Sequence, residues 1–350
     1  MDNKIFNYSI SNPPYQKRNY SNTNSMQVYP RFWFNSNHIS DKTIMIFPLG
    51  WQLSVGNASG STKHKFMRSD NRIVFVDNYY EDKSSPIRIF NGVGTRGVNI
   101  ILTDNNYYNN GLVKFFEYSV YKEDKNLKDQ KHWSKTTDII FNKINDFMVD
   151  NNMSVVKDIV SSSHSFGVKN YMIKKDREDN IYFNDNYVKN SFKVLCLVES
   201  CDHKFLYVDK SAPFLKDVGF NKYKSVFPRT GAWRMWRYCR VLNPGELISD
   251  TFLCVNFNTY EEAYNYNSYI KTYFFRFILT ETAPAHNVSK HTHKNIPDLK
   301  NIVNPRTGLT GYHSSWTDND LKLLFKDYLS DNDWDYIKEV ALKSDNYRME

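Results

Sequence analysis

The chain has 350 residues, with 46 Lys and Arg against 38 Asp and Glu and a formal net charge of +8. That length accommodates two domains with a sizeable core, and the basic surplus suits a nucleic-acid partner. Four cysteines, Cys196, Cys201, Cys239 and Cys254, show no C-x-x-C spacing, so a zinc site and a disulfide frame are both disfavoured. Reduced thiols in a cytoplasmic protein are expected instead. No signal peptide and no apolar run of about 18 residues is found, which speaks against a membrane role.

The first element is an alternating apolar run, Ile5 to Ile10, followed at once by Asn12-Pro13-Pro14-Tyr15. Such a tetrapeptide after a strand suits chemistry on the exocyclic amine of a nucleobase. The lone pair of that amine is delocalised into the ring, which makes it a poor nucleophile. The Asn12 side-chain oxygen and the Pro13 carbonyl, aimed at its hydrogens, would draw the nitrogen towards tetrahedral geometry. The prolines fix φ and remove competing N–H donors, while Tyr15 offers a flat face for an extruded base. The plainer reading is a Pro-Pro turn after an edge strand, with Tyr15 covering the core.

Next, the aromatic cluster Tyr29 to Phe34 opens a helix. Thr43 to Pro48 is a continuous apolar run, expected as a strand buried on both faces of a parallel sheet. Gly56 to Ser61 reads as a loop, and Arg72 to Asp77 and Gly97 to Leu102 as further strands. Strands alternating with loop or helical stretches predict an α/β layer.

In this order the motifs resemble the C-terminal part of the gamma-type adenine-N6 DNA methyltransferases of type II restriction–modification systems. The carriers are Asn12 to Tyr15, Phe47 to Trp51, Lys65 to Arg68, Val76 to Tyr79 and the strand from Gly97. Gly245 to Phe257, Tyr260 to Phe277 and Trp316 to Asp318 are similar to the target-recognition region of that family. The resemblance implies a partial Rossmann-like methyltransferase sheet in residues 1–110, followed by a mixed α+β target-recognition domain in residues 111–350. It further implies methyl transfer from S-adenosylmethionine to a flipped adenine in double-stranded DNA, with Asn12, Pro13, Pro14 and Tyr15 as the catalytic corner. Asn12 also touches the cofactor in this scheme. Eleven residues precede Asn12, too few for the strand and glycine turn that hold the donor. A split enzyme with a partner subunit carrying the donor half, a truncated one, or a non-catalytic DNA-binding specificity subunit are the readings that follow.

Phe90-Asn91-Gly92-Val93-Gly94-Thr95-Arg96-Gly97 is the alternative donor site, since Phe90, Gly92 and Gly94 match F-x-G-x-G. Its follower, Val98 to Thr103, is β-branched rather than helical, so a glycine hairpin or bulge explains it better. Further on, Asp138 to Ile144 predicts an amphipathic helix, Ser161 to Gly167 a loop, and Val194 to Val198 and Lys204 to Val208 two strands.

The stretch Lys222 to Arg240 interleaves cations with aromatics. Lys222, Lys224, Arg229, Arg234, Arg237 and Arg240 are placed for phosphates and base edges, and Trp233 and Trp236 for wedging or stacking. A solvated basic strand with its tryptophans facing the core is the plainer account. His286, His291 and His293 match no zinc spacing and are expected on a surface loop. Thr317 and Ser330 are expected to cap two closing helices, the first with a stripe of Leu321, Leu324, Phe325 and Tyr328. No nuclease signature stands out.

Overall fold

Residues 4–18, 25–52, 62–80, 97–128, 135–173, 178–199, 202–216, 219–229, 235–283 and 288–346 are described by a computed structural model. They fall into two units, one reaching to Asp138 and the other running from Ile139 to Asp345.

The first unit holds β1 (Phe6–Ser11), β2 (Gln16–Arg18), β3 (Ser25–Gln27), α1 (Tyr29–Ile39), β4 (Ser40–Pro48), α2 (Thr62–Arg68), β5 (Ile73–Tyr80), β6 (Gly97–Asp104), β7 (Val113–Glu117) and β8 (Val120–Lys125). Six of these strands form one mixed sheet in the order β1-β4-β6-β5-β7-β8. β1 lies parallel to β4 and β5 parallel to β7, whereas β6 runs antiparallel to both β4 and β5. The carboxyl ends of β1, β4, β5 and β7 therefore share one edge of the sheet.

This is the mixed α/β architecture expected of a partial Rossmann-like sheet, with one difference in burial. β4 alternates: Thr43, Met45 and Phe47 are buried while Ile44 and Ile46 are half-buried. An unbroken apolar run need not mean burial on both faces, because isoleucine tolerates a partly covered one. The boundary also shifts. β7 and β8 extend the first sheet, so the unit passes the expected break after residue 110 and ends near Asp138.

α1 forms because Pro30 sits in its first turn, where its missing N–H costs nothing. Tyr29, Trp33 and Asn37 recur at helical spacing and are buried. The Trp33 indole donates to Thr103 Oγ1 at 3.2 Å, which ties the helix to β6. Tyr29 meets Phe47 at 5.0 Å between centroids, in a core shared with Trp33, Met45, Trp51, Met67, Val76 and Phe115. Each such side chain stabilises by about 1.5–3 kcal/mol when fully buried.

The second unit comprises most of α3 (Lys135–Asp150), then α4 (Val156–Ile159), β9 (Phe183–Asn184), β10 (Ser191–Glu199), β11 (Asp202–Asp209), β12 (Tyr223–Pro228), β13 (Arg240–Leu242), β14 (Glu246–Ile248), β15 (Phe252–Phe257), α5 (Tyr260–Lys271), α6 (Tyr273–Thr282), α7 (Asp318–Leu324) and α8 (Asp331–Asn346). Two sheets form, in the orders β14-β10-β11-β9 and β13-β12-β15. The expected caps are present. Thr317 accepts from Asp320 N–H at the start of α7, and Ser330 accepts from Asp333 N–H at the start of α8. Thr259 and Glu262 close a reciprocal capping box on α5. Among the described residues no helix is long and apolar enough to cross a membrane.

One expectation is corrected here. His293 is fully buried rather than on a surface loop, with Nδ1 at 2.9 Å from the Ser289 carbonyl and its ring against Phe227 and Phe275. His291 is exposed, and His286 lies outside the described residues. Burial pushes the His293 pKa down to about 4, below the 6.5 of a free imidazole. The unfolded chain therefore takes the proton first as pH falls. The stability contribution is complete above about pH 6.5 and is lost between there and about pH 4, on the order of 3 kcal/mol in all. Urea denaturation across this range should show that loss in the wild type and a flatter profile in His293→Gln. Parallel profiles would contradict a neutral buried imidazole.

Candidate functional site

The Asn12–Tyr15 corner leaves the carboxyl end of β1, the edge strand of the first sheet. In open α/β sheets ligands bind outside this end, where the strands deliver their loops. Asn12 and Pro14 are exposed, Pro13 is buried, and Tyr15 is half-buried against the core that contains Tyr29 and Trp33. The Tyr15 carbonyl accepts from Val28 N–H at 3.1 Å, which pins the corner just ahead of α1. The Tyr15 hydroxyl donates to Asn12 Oδ1 at 3.1 Å. That bond fixes the amide with its oxygen on a known side, and an amide oxygen keeps a second lone pair for another donor. Partial burial raises the Tyr15 pKa, so the hydroxyl stays protonated and able to donate.

The neighbouring carboxyl end, that of β4, continues into a single 3₁₀ turn, Leu49–Trp51. Arg68 of α2 donates from Nη1 to the Trp51 carbonyl at 2.9 Å, and burial lowers its pKa. Beneath the turn, Gln52 and Asn78 exchange side-chain amide hydrogen bonds of 2.6 and 3.3 Å. Tyr29 and His64 meet at 2.8 Å with their rings stacked. These paired side chains are buried and bonded between elements, which ties the site edge to α1, α2 and β5. The alternative donor residues Phe90, Gly92 and Gly94 lie outside the described residues.

The Lys222–Arg240 stretch divides. Lys222 is half-buried and bonded to Asn258. Arg229 is half-buried, its backbone pinned to Thr251 and Val288. Trp236 is half-buried beneath the Arg276 guanidinium at 4.4 Å and beside Arg237 at 5.1 Å. Arg237 is exposed and Arg240 half-buried on β13. Trp233 and Arg234 lie outside the described residues.

Lys224 is the correction. It is fully buried on β12, its ammonium donating to the Lys222 carbonyl at 2.8 Å, so it offers no charge to a phosphate. β12 is buried from Lys224 to Pro228, so the side chain is covered although it is charged, and the Lys222 carbonyl takes one of its three donors. Among the described residues no cluster of three or more His, Cys, Asp or Glu side chains could hold a metal ion.

Sequence reasoning missed the outer face of α5. Tyr260, Tyr264, Asn267 and Lys271 line a cavity with Arg240 of β13. The signal was the spacing i, i+4, i+7, i+11, which places all of them on one helix face.

No protein-family model matches the chain, and no curated protein matches it either. Among solved structures it is similar to the type IIL restriction-modification enzyme MmeI in complex with DNA, at 9% identity and a TM-score of 0.45, over 98% of this chain and 55% of that one. The type IIG restriction endonuclease BpuSI gives 10% identity and a TM-score of 0.34, over 87% of this chain and 47% of that one. The ATP-dependent type ISP restriction-modification enzyme LlaBIII bound to DNA gives 9% and 0.28, over 65% and 20%. The chain thus spans about half the length of the first two.

Lys224 yields a test of the assignment above. Burial lowers its pKa, so holding the charge inside costs stability that one carbonyl only partly offsets. Lys224→Met should leave the melting temperature unchanged or higher. A marked fall in melting temperature would show that the ammonium carries a stabilising role.

Proposed function

We propose that the chain is the base-capturing and DNA-selecting part of a DNA adenine-N6 methyltransferase of restriction–modification type. The observation that carries the reading is the placement of Asn12: exposed at the carboxyl end of a parallel edge strand, its amide oriented by the Tyr15 hydroxyl. In this reading an adenine turned out of double-stranded DNA stacks on Tyr15. Its amino group donates to Asn12 Oδ1 and the Pro13 carbonyl, so the nitrogen lone pair becomes available as it leaves conjugation with the ring. Pro14 stiffens the corner and adds no competing N–H. After transfer the nitrogen loses a proton to solvent, so no dedicated base is required. The methyl group would come from S-adenosylmethionine, an electrophilic donor.

The donor-binding half, in this reading, completes the sheet beside β1. Phe6, Tyr8 and Ile10, which share one face of β1, are 53%, 62% and 77% exposed. Ile5, just before the strand, is 72% exposed, so the edge strand carries an apolar face uncovered among the described residues. Long apolar edges of this kind template pairing with another strand. A strand from the donor-binding segment, laid parallel against β1, would cover them and bring the methyl donor to the Asn12 corner. The second unit then selects the DNA, with Arg229, Arg237 and Arg240 as its cations.

In an assay with DNA, S-adenosylmethionine and the donor-binding segment, Asn12→Ala should lower methylation by about 100-fold or more, as loss of a positioned polar group in an active site does. DNA affinity should stay within about twofold, since phosphate contacts dominate it. Methylation that survives Asn12→Ala would remove the corner from catalysis. Methylation by neither protein, with DNA binding intact in both, would favour a purely DNA-binding specificity subunit.

A further inference from the structure

The face of α5 carries a feature that the adenine-capture reading leaves unused. Tyr260, Tyr264, Asn267 and Lys271 face Arg240 across a cavity of about 370 Å³. Pockets for small organic ligands begin near about 300 Å³, so a single nucleotide is of suitable size.

Three observations define what would fit. First, the Arg240 and Lys271 side chains have no ion-pair partner among the described residues, and Glu262 on the same helix is held in the capping box with Thr259. Two uncompensated cations at one cavity favour an anion. Second, Asn267 is only 5% exposed, and its Oδ1 accepts from Ser225 Oγ at 2.5 Å. Its amide nitrogen, with two donors, has no partner among the described residues although the side chain lines the cavity. That nitrogen opens on the cavity, where a ligand acceptor could take the place of water on it. Third, Tyr260 and Tyr264 are 52% and 59% exposed yet stacked on one another at 6.3 Å and 16°. Tyr223 meets Tyr260 edge-on at 6.1 Å, which props the pair from β12.

An anion, a hydrogen-bond acceptor and a flat ring together describe a nucleotide. We infer that this cavity takes one nucleotide of the bound DNA strand, its phosphate between Arg240 and Lys271, its base against the Tyr260–Tyr264 pair and a base acceptor at Asn267. The inference rests on the DNA-selecting role assigned above to the second unit. It differs from the capture site at Asn12, because the base held here is unstacked for grip and register and is not modified. Aromatic stacking is tolerant of sequence, whereas the Asn267 donors would prefer bases with an acceptor within reach.

The test uses the whole chain and fluorescence anisotropy with a labelled duplex across a salt series. Tyr264→Ala should weaken binding about tenfold and Tyr264→Phe should restore it, since the ring face and not the hydroxyl makes the contact. Lys271→Ala should lower the slope of log affinity against log salt by about 1, the signature of one lost phosphate contact. Both residues are exposed, so unchanged melting temperatures would exclude misfolding. Wild-type binding with no change in either variant overturns the cavity assignment and leaves the DNA-selecting role standing. If the wild type binds no DNA but titrates with free deoxynucleoside monophosphates, the cavity is a free-nucleotide site and both readings fall together.

Discussion

The parallel pairing of β1 with β4 is the constraint on which the first unit depends. Register from Phe6 opposite Ser40 to Ser11 opposite Met45 sets where the chain may turn, and that turn is Asn12–Tyr15. Parallel neighbours need a crossover, which α1 supplies by laying Tyr29 and Trp33 on the sheet. The same helix start receives Val28, whose N–H closes on the Tyr15 carbonyl. Strand pairing, crossover and corner are therefore one mechanical unit. Shifting the register by a single residue would turn each side chain of β1 to the opposite face and carry Asn12 with it.

The second unit is fixed differently, by polar groups buried between short elements. Asp298 is almost fully buried and accepts from Tyr312 Oη at 2.8 Å, from Ser154 Oγ at 3.3 Å and from Lys300 N–H at 3.2 Å. Tyr269 donates to the neighbouring Pro297 carbonyl at 3.0 Å. Burial and the nearby Asp298 carboxylate both raise the Tyr269 and Tyr312 pKa values well above that of free tyrosine. These hydroxyls remain donors throughout the physiological range. α5 takes its position from this network and from its capping box, and that leaves its outer face, with Tyr260 and Tyr264, in solvent.

Element types were largely legible in the sequence because apolar period and caps are local signals. Thr317 and Ser330 announced α7 and α8 through their side-chain oxygens, and the aromatic cluster at residues 29–34 announced α1. Strand direction was not legible. An apolar run such as Gly97–Leu102 reads alike whether parallel or antiparallel, and β6 proves to be the antiparallel member between β4 and β5. Side-chain burial was equally hidden: β12 is covered along nearly its whole length, on both faces, so Lys224 reads as a DNA contact and is found inside. His293 misled for a related reason, since a polar neighbourhood in sequence says nothing of what packs above it. At the corner, the residue types were readable, but the hydroxyl-to-amide bond between Tyr15 and Asn12 depends on the turn and only coordinates reveal it. The α5 face carried a helical spacing that could have been read, yet its meaning came from Arg240, a residue brought in by another strand.

The proposed function requires the Asn12–Tyr15 corner to receive a base turned out of the duplex. 2-Aminopurine placed at the adenine positions of a DNA duplex to which the chain binds reports that event by fluorescence. On binding, the probe should brighten as it leaves the stack, and Tyr15→Ala should brighten it further by removing the ring that partly quenches it. A probe that stays as dark as in free duplex, with the protein demonstrably bound, would contradict the account.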